Sequence, residues 1–130
     1  MRLEFRAEEG GFEGDGREVV CLICGFYGRD SNGIEHYLHL TRGFEGENLS
    51  EDWGVHCEFD DQINGDYNCI QRCRLSRMAL EVDLLQPIDR QKKYNGIPVD
   101  ITGLDESKII AMRDGLPRIF RGTAVALDIG

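Results

Sequence analysis

The sequence predicts a single α+β domain, built mostly from an antiparallel sheet with one helix near the C-terminus. Apolar and polar residues alternate along 53–60 and again along 78–84, a pattern typical of strands with one face on a core and one in water. A third run, 70–75, lies between them and is separated from 78–84 by only Ser76 and Arg77, which favours a hairpin. Apolar residues recur at helical spacing only after residue 105.

The N-terminal third predicts further strands. Residues 2–7 alternate and favour a short edge strand, whereas 8–16, with four glycines and four acids, predict a loop. Residues 18–27 are apolar on both faces, which indicates a central strand covered on both sides. In 34–42 the apolar residues share one face with His36, so this strand should have one buried side.

The C-terminal third predicts a strand, a helix and a last strand. Residues 97–102 are short and apolar, and 123–129 alternate weakly. Asp105 suits a helix N-cap, so we expect a helix from about 106 to 114. Pro117 removes a backbone donor and crowds the preceding turn, so a kinked continuation is expected over 116–121. The chain contains no repeats and no linker, so residues 1–130 should form one domain.

Charge is unevenly distributed along the chain. The net charge is -9, and residues 1–68 carry sixteen acids against five arginines, which leaves a charge of +2 for 69–130. A negative field repels phosphate backbones, so nucleic acid and anionic membranes are not expected partners, whereas a basic protein would be attracted. The same charge also keeps a small protein soluble, so it does not by itself indicate a partner.

The cysteines and the N-terminus predict a cytoplasmic protein with free thiols. Five cysteines is an odd number, and the first residues show no apolar signal core. No apolar run approaches the roughly 20 residues that cross a bilayer.

One cysteine pattern suggests zinc. Cys21 and Cys24 have the spacing of half a zinc knuckle, for which Cys69 and Cys73 could supply the other half. However, 19–26 is a run of strand formers, and residues three apart in a strand point to opposite faces. We therefore expect buried thiols without a metal or other cofactor, and keep a small zinc-binding structural module as the alternative function.

Other chemistry is weakly indicated. The segment from Asp60 resembles a calcium loop, but its twelfth position is Gln71 and strands flank it, so an acidic hairpin loop is favoured. His36 and His39 should point to opposite faces of their strand, and no serine elbow is present. A hydrolase is therefore only a third option, and we expect no enzymatic activity.

Four sequence segments, in this order and spacing, resemble the tenth immunity-protein family of bacterial polymorphic-toxin systems. They are residues 36–42, 55–61, 70–82 and 112–120, and the resemblance covers about 18–121. Members of this family are small cytoplasmic proteins inferred to neutralise a toxin made beside them. The resemblance implies a non-enzymatic immunity protein whose partner is its cognate toxin, a basic domain such as a nuclease.

The expected toxin-binding surface rests on charge and exposure, since no family residues carry over. Trp53 shares its predicted face with core residues and is expected to be buried, whereas Tyr67 should be an exposed loop residue and an aromatic anchor. Two acidic loops should lie at opposite ends of the strand 53–59, roughly 20–25 Å apart. The predicted partner-binding residues are Asp60, Asp61, Asp66 and Tyr67 in the favoured loop, and Glu45, Glu47, Glu51 and Asp52 in the other.

Overall fold

The computed structural model describes residues 1–14, 21–43 and 53–130. Within these ranges the chain forms nine strands and one helix. In chain order the elements are β1 Phe5–Glu13, β2 Cys21–Arg29, β3 Glu35–Gly43, β4 His56–Phe59, β5 Asp61–Tyr67, β6 Ile70–Leu75, β7 Ala79–Leu84, β8 Gly96–Asp100, α1 Glu106–Ile119 and β9 Ala126–Ile129.

The nine described strands form one mixed sheet in the order β5-β4-β3-β2-β1-β8-β7-β6-β9. Neighbouring strands are antiparallel except at β1/β8 and β6/β9, which are parallel. The predicted fold class is confirmed at this level, a small domain with a mostly antiparallel sheet and one C-terminal helix. No helix in the described part of the chain is long and apolar enough to cross a bilayer.

The sheet curls around one core. The thiols of Cys57 in β4 and Cys69, the residue before β6, lie close enough to influence each other's pKa, although β4 and β6 lie six steps apart in the sheet. In a flat sheet six steps would span roughly 29 Å. The curled sheet therefore encloses its apolar face, and α1 packs on the same side against β1, β2 and β3.

Helix α1 is longer than the sequence predicts. Met112, Leu116 and Ile119 are fully buried at helical spacing, and the helix continues through Pro117 to Ile119. The expected end at 114 was wrong because burial of Leu116 and Ile119 in the last turn outweighs the one backbone hydrogen bond that Pro117 removes. Gly115 lets the helix approach β1, since a Cβ there would lie 2.3 Å from the ring of Phe12.

Strand β1 corrects two predictions. It lies between β2 and β8 in the middle of the sheet, and its nine residues include Glu8–Glu13, which were expected to form a loop. Gly10 allows β2 to approach closely, since a Cβ there would lie 2.6 Å from the carbonyl oxygen of Gly25. A shift of register between Ala7 and Glu9 also interrupts the alternation of apolar and polar residues by which a strand is recognised in the sequence.

Strand β2 is covered on one face only. Leu22, Cys24 and Phe26 are buried, whereas Cys21 and Tyr27 are exposed, so the prediction of a strand covered on both sides was wrong for the described residues. By contrast, the one-sided prediction for 34–42 is confirmed in β3, where His36, Leu38 and Leu40 are buried.

The segment 53–84 contains four strands rather than three. Asp61–Tyr67, expected to be a loop, forms the edge strand β5, and β4 begins only at His56. Trp53 is 72% exposed, so its predicted place in the core was wrong. The β6–β7 hairpin is confirmed by the pairing of Leu75 with Leu80.

Candidate functional site

The candidate site is the side of β2–β5 that points away from the core, here called the outer face. Antiparallel pairing aligns its residues in rows across the strands. One row joins Gly25, His39, Glu58 and Gly65, and the next joins Ile23, Thr41, His56 and Tyr67. α1 packs on the opposite side of the sheet, so no described element covers the outer face.

Three aromatic side chains form an exposed cluster at one end of this face. Trp53 is 72% exposed and Tyr67 is 48% exposed. Their ring centroids lie 6.1 Å apart, and the ring of His56 lies 4.8 Å from that of Tyr67. Large exposed aromatic residues in mutual contact are typical of protein interfaces, where such side chains act as anchors.

A second ring pair lies nearby on β3. The rings of Tyr37 and His39 are 4.8 Å apart, and the Tyr37 hydroxyl donates a 2.7 Å hydrogen bond to Glu58 Oε2. Burial and the nearby Glu58 carboxylate raise the pKa of Tyr37. The phenol therefore stays protonated at physiological pH and remains a donor.

The acidic residues of β4 and β5 form no ion pair with another described residue; only Glu58 lies on the outer face, since Asp61 and Asp66 are paired with the core residues Phe59 and Cys57. In the second half of the sheet, Arg2 and Arg74 neutralise Glu81 and Asp83. In contrast, Glu58, Asp61 and Asp66 take part in none of the ion pairs formed between described residues. The outer edge at β4 and β5 therefore keeps its negative charge available to a partner.

Asp60 has a structural part that the sequence did not indicate. Its backbone adopts φ 64, an unusual conformation for a residue with a side chain. Its carboxylate accepts a 3.1 Å hydrogen bond from the Tyr37 backbone N–H and lies 2.8 Å from His36 Nδ1. The Asp60 carboxylate therefore stabilises the turn between β4 and β5 through these contacts with β3.

The other predicted site residues divide into two groups. Asp61 and Asp66 lie near the two ends of β5, and Tyr67 is exposed as predicted, although it lies in a strand. Glu45, Glu47, Glu51 and Asp52 lie outside the described residues. Sequence reasoning missed Tyr37, His56 and Glu58. Tyr37 could have been found from the sequence, because 35, 37, 39 and 41 share the outward face of their strand. His56 and Glu58 could be placed on this face only once the pairing of β3 with β4 was known.

His36 lies between two carboxylates. It is only 9% exposed, and Asp30 Oδ2 lies 2.8 Å from Nε2, opposite Asp60 on Nδ1. Burial of the ring opposes its charged form, but the hydrogen bonds with Asp30 and Asp60 outweigh burial, so the pKa of His36 is raised. The hydrogen bond with His36 lowers the pKa of Asp30.

This network predicts a pH dependence of stability. A histidine whose folded pKa is raised adds to the free energy of unfolding. This stabilisation is complete below the unfolded pKa of about 6.5 and is lost as pH rises through the folded pKa. The stabilisation from Asp30, whose folded pKa is lowered, is lost only as pH falls through that folded pKa. Thermal denaturation of His36→Gln between about pH 5.5 and 8 should therefore show a flatter decline of Tm than the parent chain. His39→Gln, on the outer face, is the control, and an unchanged slope in His36→Gln would contradict the assignment.

The cysteines are distributed between the two faces. Cys21 is exposed and Cys24 is buried, so they point to opposite sides of β2, as their spacing predicts. Burial raises the pKa of Cys73 to about 12 and that of Cys24 further, which keeps both as unreactive thiols. In the described part of the chain, no three His, Cys, Asp or Glu side chains are grouped closely enough to hold a metal ion.

No protein-family model, curated protein or solved structure matches this chain. The functional assignment therefore depends on the outer face itself.

Proposed function

We propose that this chain is a non-enzymatic binding protein that holds a basic partner protein against the outer face at β4 and β5. The observation that carries the proposal is the cluster of Trp53, His56 and Tyr67, of which Trp53 and Tyr67 are exposed, beside acidic residues of β4 and β5 that form no ion pair with another described residue. Such a surface combines the two components of a fast and lasting protein complex.

The two components act on different steps. The carboxylates of Asp61 and Asp66, which no described cation pairs with, would steer a basic protein toward this edge, which acts mainly on the association rate. The aromatic rings would then be desolvated in the complex and act mainly on the dissociation rate. The charge of residues 1–68 extends the attraction beyond the contact itself.

The resemblance to an immunity-protein family suggests which basic protein this is. The partner would be the cognate toxin, encoded beside the gene for this chain, and its basic surface would be the one that engages an anionic substrate. Covering that surface would neutralise the toxin in the cytoplasm where both are made. In this role the chain needs neither a catalytic group nor a metal.

Charge reversal at β5 tests the proposal. In Asp61→Lys/Asp66→Lys, association with the toxin domain encoded by the neighbouring gene should slow at least about tenfold at low salt, and the difference should shrink at high salt. Surface plasmon resonance at several salt concentrations measures both effects. Among the described residues, the two carboxylates accept hydrogen bonds only from nearby backbone N–H groups, so the fold should survive.

A matched control carries the same change in net charge elsewhere. Asp114→Lys/Asp128→Lys alters exposed residues on α1 and β9. Equal slowing in both variants would mean that only the net charge matters, and no slowing in either would place the interface on another surface.

A further inference from the structure

A half-buried carboxylate lies at the centre of the outer face. Glu58 of β4 is paired directly with His39 of β3 and Gly65 of β5. The Tyr37 hydroxyl fixes one of its oxygens. The ring pair Tyr37–His39 lies on the β3 side of Glu58, and the pair His56–Tyr67 lies toward β5.

Two glycines, Gly25 and Gly65, place no side chain on the outer face near this carboxylate. A Cβ at Gly25 would lie 3.0 Å from the ring of His39, and one at Gly65 would lie 3.0 Å from the ring of His56. Each imidazole therefore lies over a strand position that has no side chain. The surface around Glu58, between these two glycine positions and beside the rings of His39 and His56, is here called the hollow.

The hollow has the charge and the surfaces that suit a cation. No cationic side chain among the described residues forms an ion pair with Glu58. Tyr37 satisfies one oxygen of the carboxylate, and the other oxygen has no hydrogen-bond partner among the described side chains. Aromatic faces attract cations through their quadrupole, and a partly buried carboxylate strengthens that attraction.

We propose that Glu58, with the ring pairs Tyr37–His39 and His56–Tyr67, forms a binding site for a guanidinium group, supplied by an arginine side chain of the partner protein. The guanidinium is planar, so it can stack on the rings while its N–H groups donate to the free oxygen of Glu58. A lysine ammonium would reach the carboxylate but lacks the planar surface for stacking. The identity of the partner rests on the function proposed above, but the chemistry of the site can be tested without it.

An NMR titration of the ¹⁵N-labelled full chain tests the site with N-acetyl-arginine methylamide as the probe. Chemical shifts of His39, Glu58, Gly65 and Tyr67 should move and saturate together. N-acetyl-citrulline methylamide has nearly the same shape without the charge and should bind at least about tenfold more weakly. Glu58→Gln should weaken arginine binding by a similar factor, and Tyr37→Phe by a smaller one.

Asp128→Asn removes one exposed carboxylate from β9, at the opposite end of the strand order from β5, and should leave the titration unchanged. Shifts spread over all acidic surfaces, equal binding of the citrulline probe, or unchanged arginine binding by Glu58→Gln would each overturn the proposal. The two proposals fail separately. Toxin binding without arginine binding removes only this site, whereas arginine binding in a chain that binds no toxin removes only the proposed function.

Discussion

Replacing Gly28 with alanine should lower the free energy of unfolding by about 3 kcal/mol, because the new methyl group has no room. A Cβ at this position would lie 1.7 Å from the carbonyl oxygen of Arg6 and 2.9 Å from the Cα of Ala7. Both are backbone atoms, so no side-chain rotation can relieve the clash. β1 and β2 would have to separate at the point where β1 also pairs with β8.

Urea denaturation measures this loss as a lower midpoint. Gly96→Ala is the matched control, since its Cβ would lie no closer than 3.4 Å to a side-chain atom of Asp83, an ordinary contact. Equal midpoints for the two variants would mean that β1 and β2 do not approach as closely as described.

Replacing Tyr67 with alanine should speed dissociation of the toxin complex about 30-fold, which corresponds to roughly 2 kcal/mol. Tyr67 contacts both Trp53 and His56, so its removal separates the three rings as well as deleting an anchor. Its 48% exposure means that the free protein should remain folded. The association rate should hardly change, because the substitution alters no charge.

Surface plasmon resonance separates the two rates, and circular dichroism checks the fold. Met78→Ala is the control, since Met78 is 68% exposed in the turn between β6 and β7. A dissociation rate equal to that of the parent chain would remove Tyr67, and with it the aromatic cluster, from the interface.

The sequence predicted those strands in which alternation continues without interruption. In β7, Leu80, Val82 and Leu84 are buried as their spacing predicts. Alternation failed at Trp53 because Gly54 adopts φ 90, which changes the chain direction before β4 and turns the indole outward. The side-chain amide of Asn68 then donates to the Trp53 carbonyl and holds this turn. Such a turn depends on a contact between distant residues, so a local pattern cannot show it.

Residue composition led to wrong loop predictions for β5 at the edge of the sheet and for part of β1 near its centre. β5 contains Asn64 and Gly65, which favour a turn, but antiparallel pairing with β4 provides backbone hydrogen bonds that hold the segment as a strand. β1 contains glycines that favour a loop, but these residues are paired with β2, where Gly10 lies opposite Phe26 and Gly11 lies opposite Gly25. In both strands, the sheet contacts outweigh the local preference.

The candidate site could be located only partly from the sequence. Net charge pointed to the acidic segment around Asp61 and Asp66, and Tyr67 was identified as an exposed aromatic residue. The hydrogen bond from Tyr37 to Glu58 joins residues 21 positions apart, so it depends on the register of β3 and β4. Likewise, the structural part played by Asp60 depends on a turn that brings it to His36.

The outer face has a consequence for how this protein can diverge. In β2, β3 and β4 its residues occur at alternate positions, each next to a residue that packs in the core. In these strands one set of residues therefore determines the fold and the alternate set determines the surface chemistry. Copies of the gene could exchange every second residue of β2–β4 and acquire a different specificity, while the intervening residues preserve the same core.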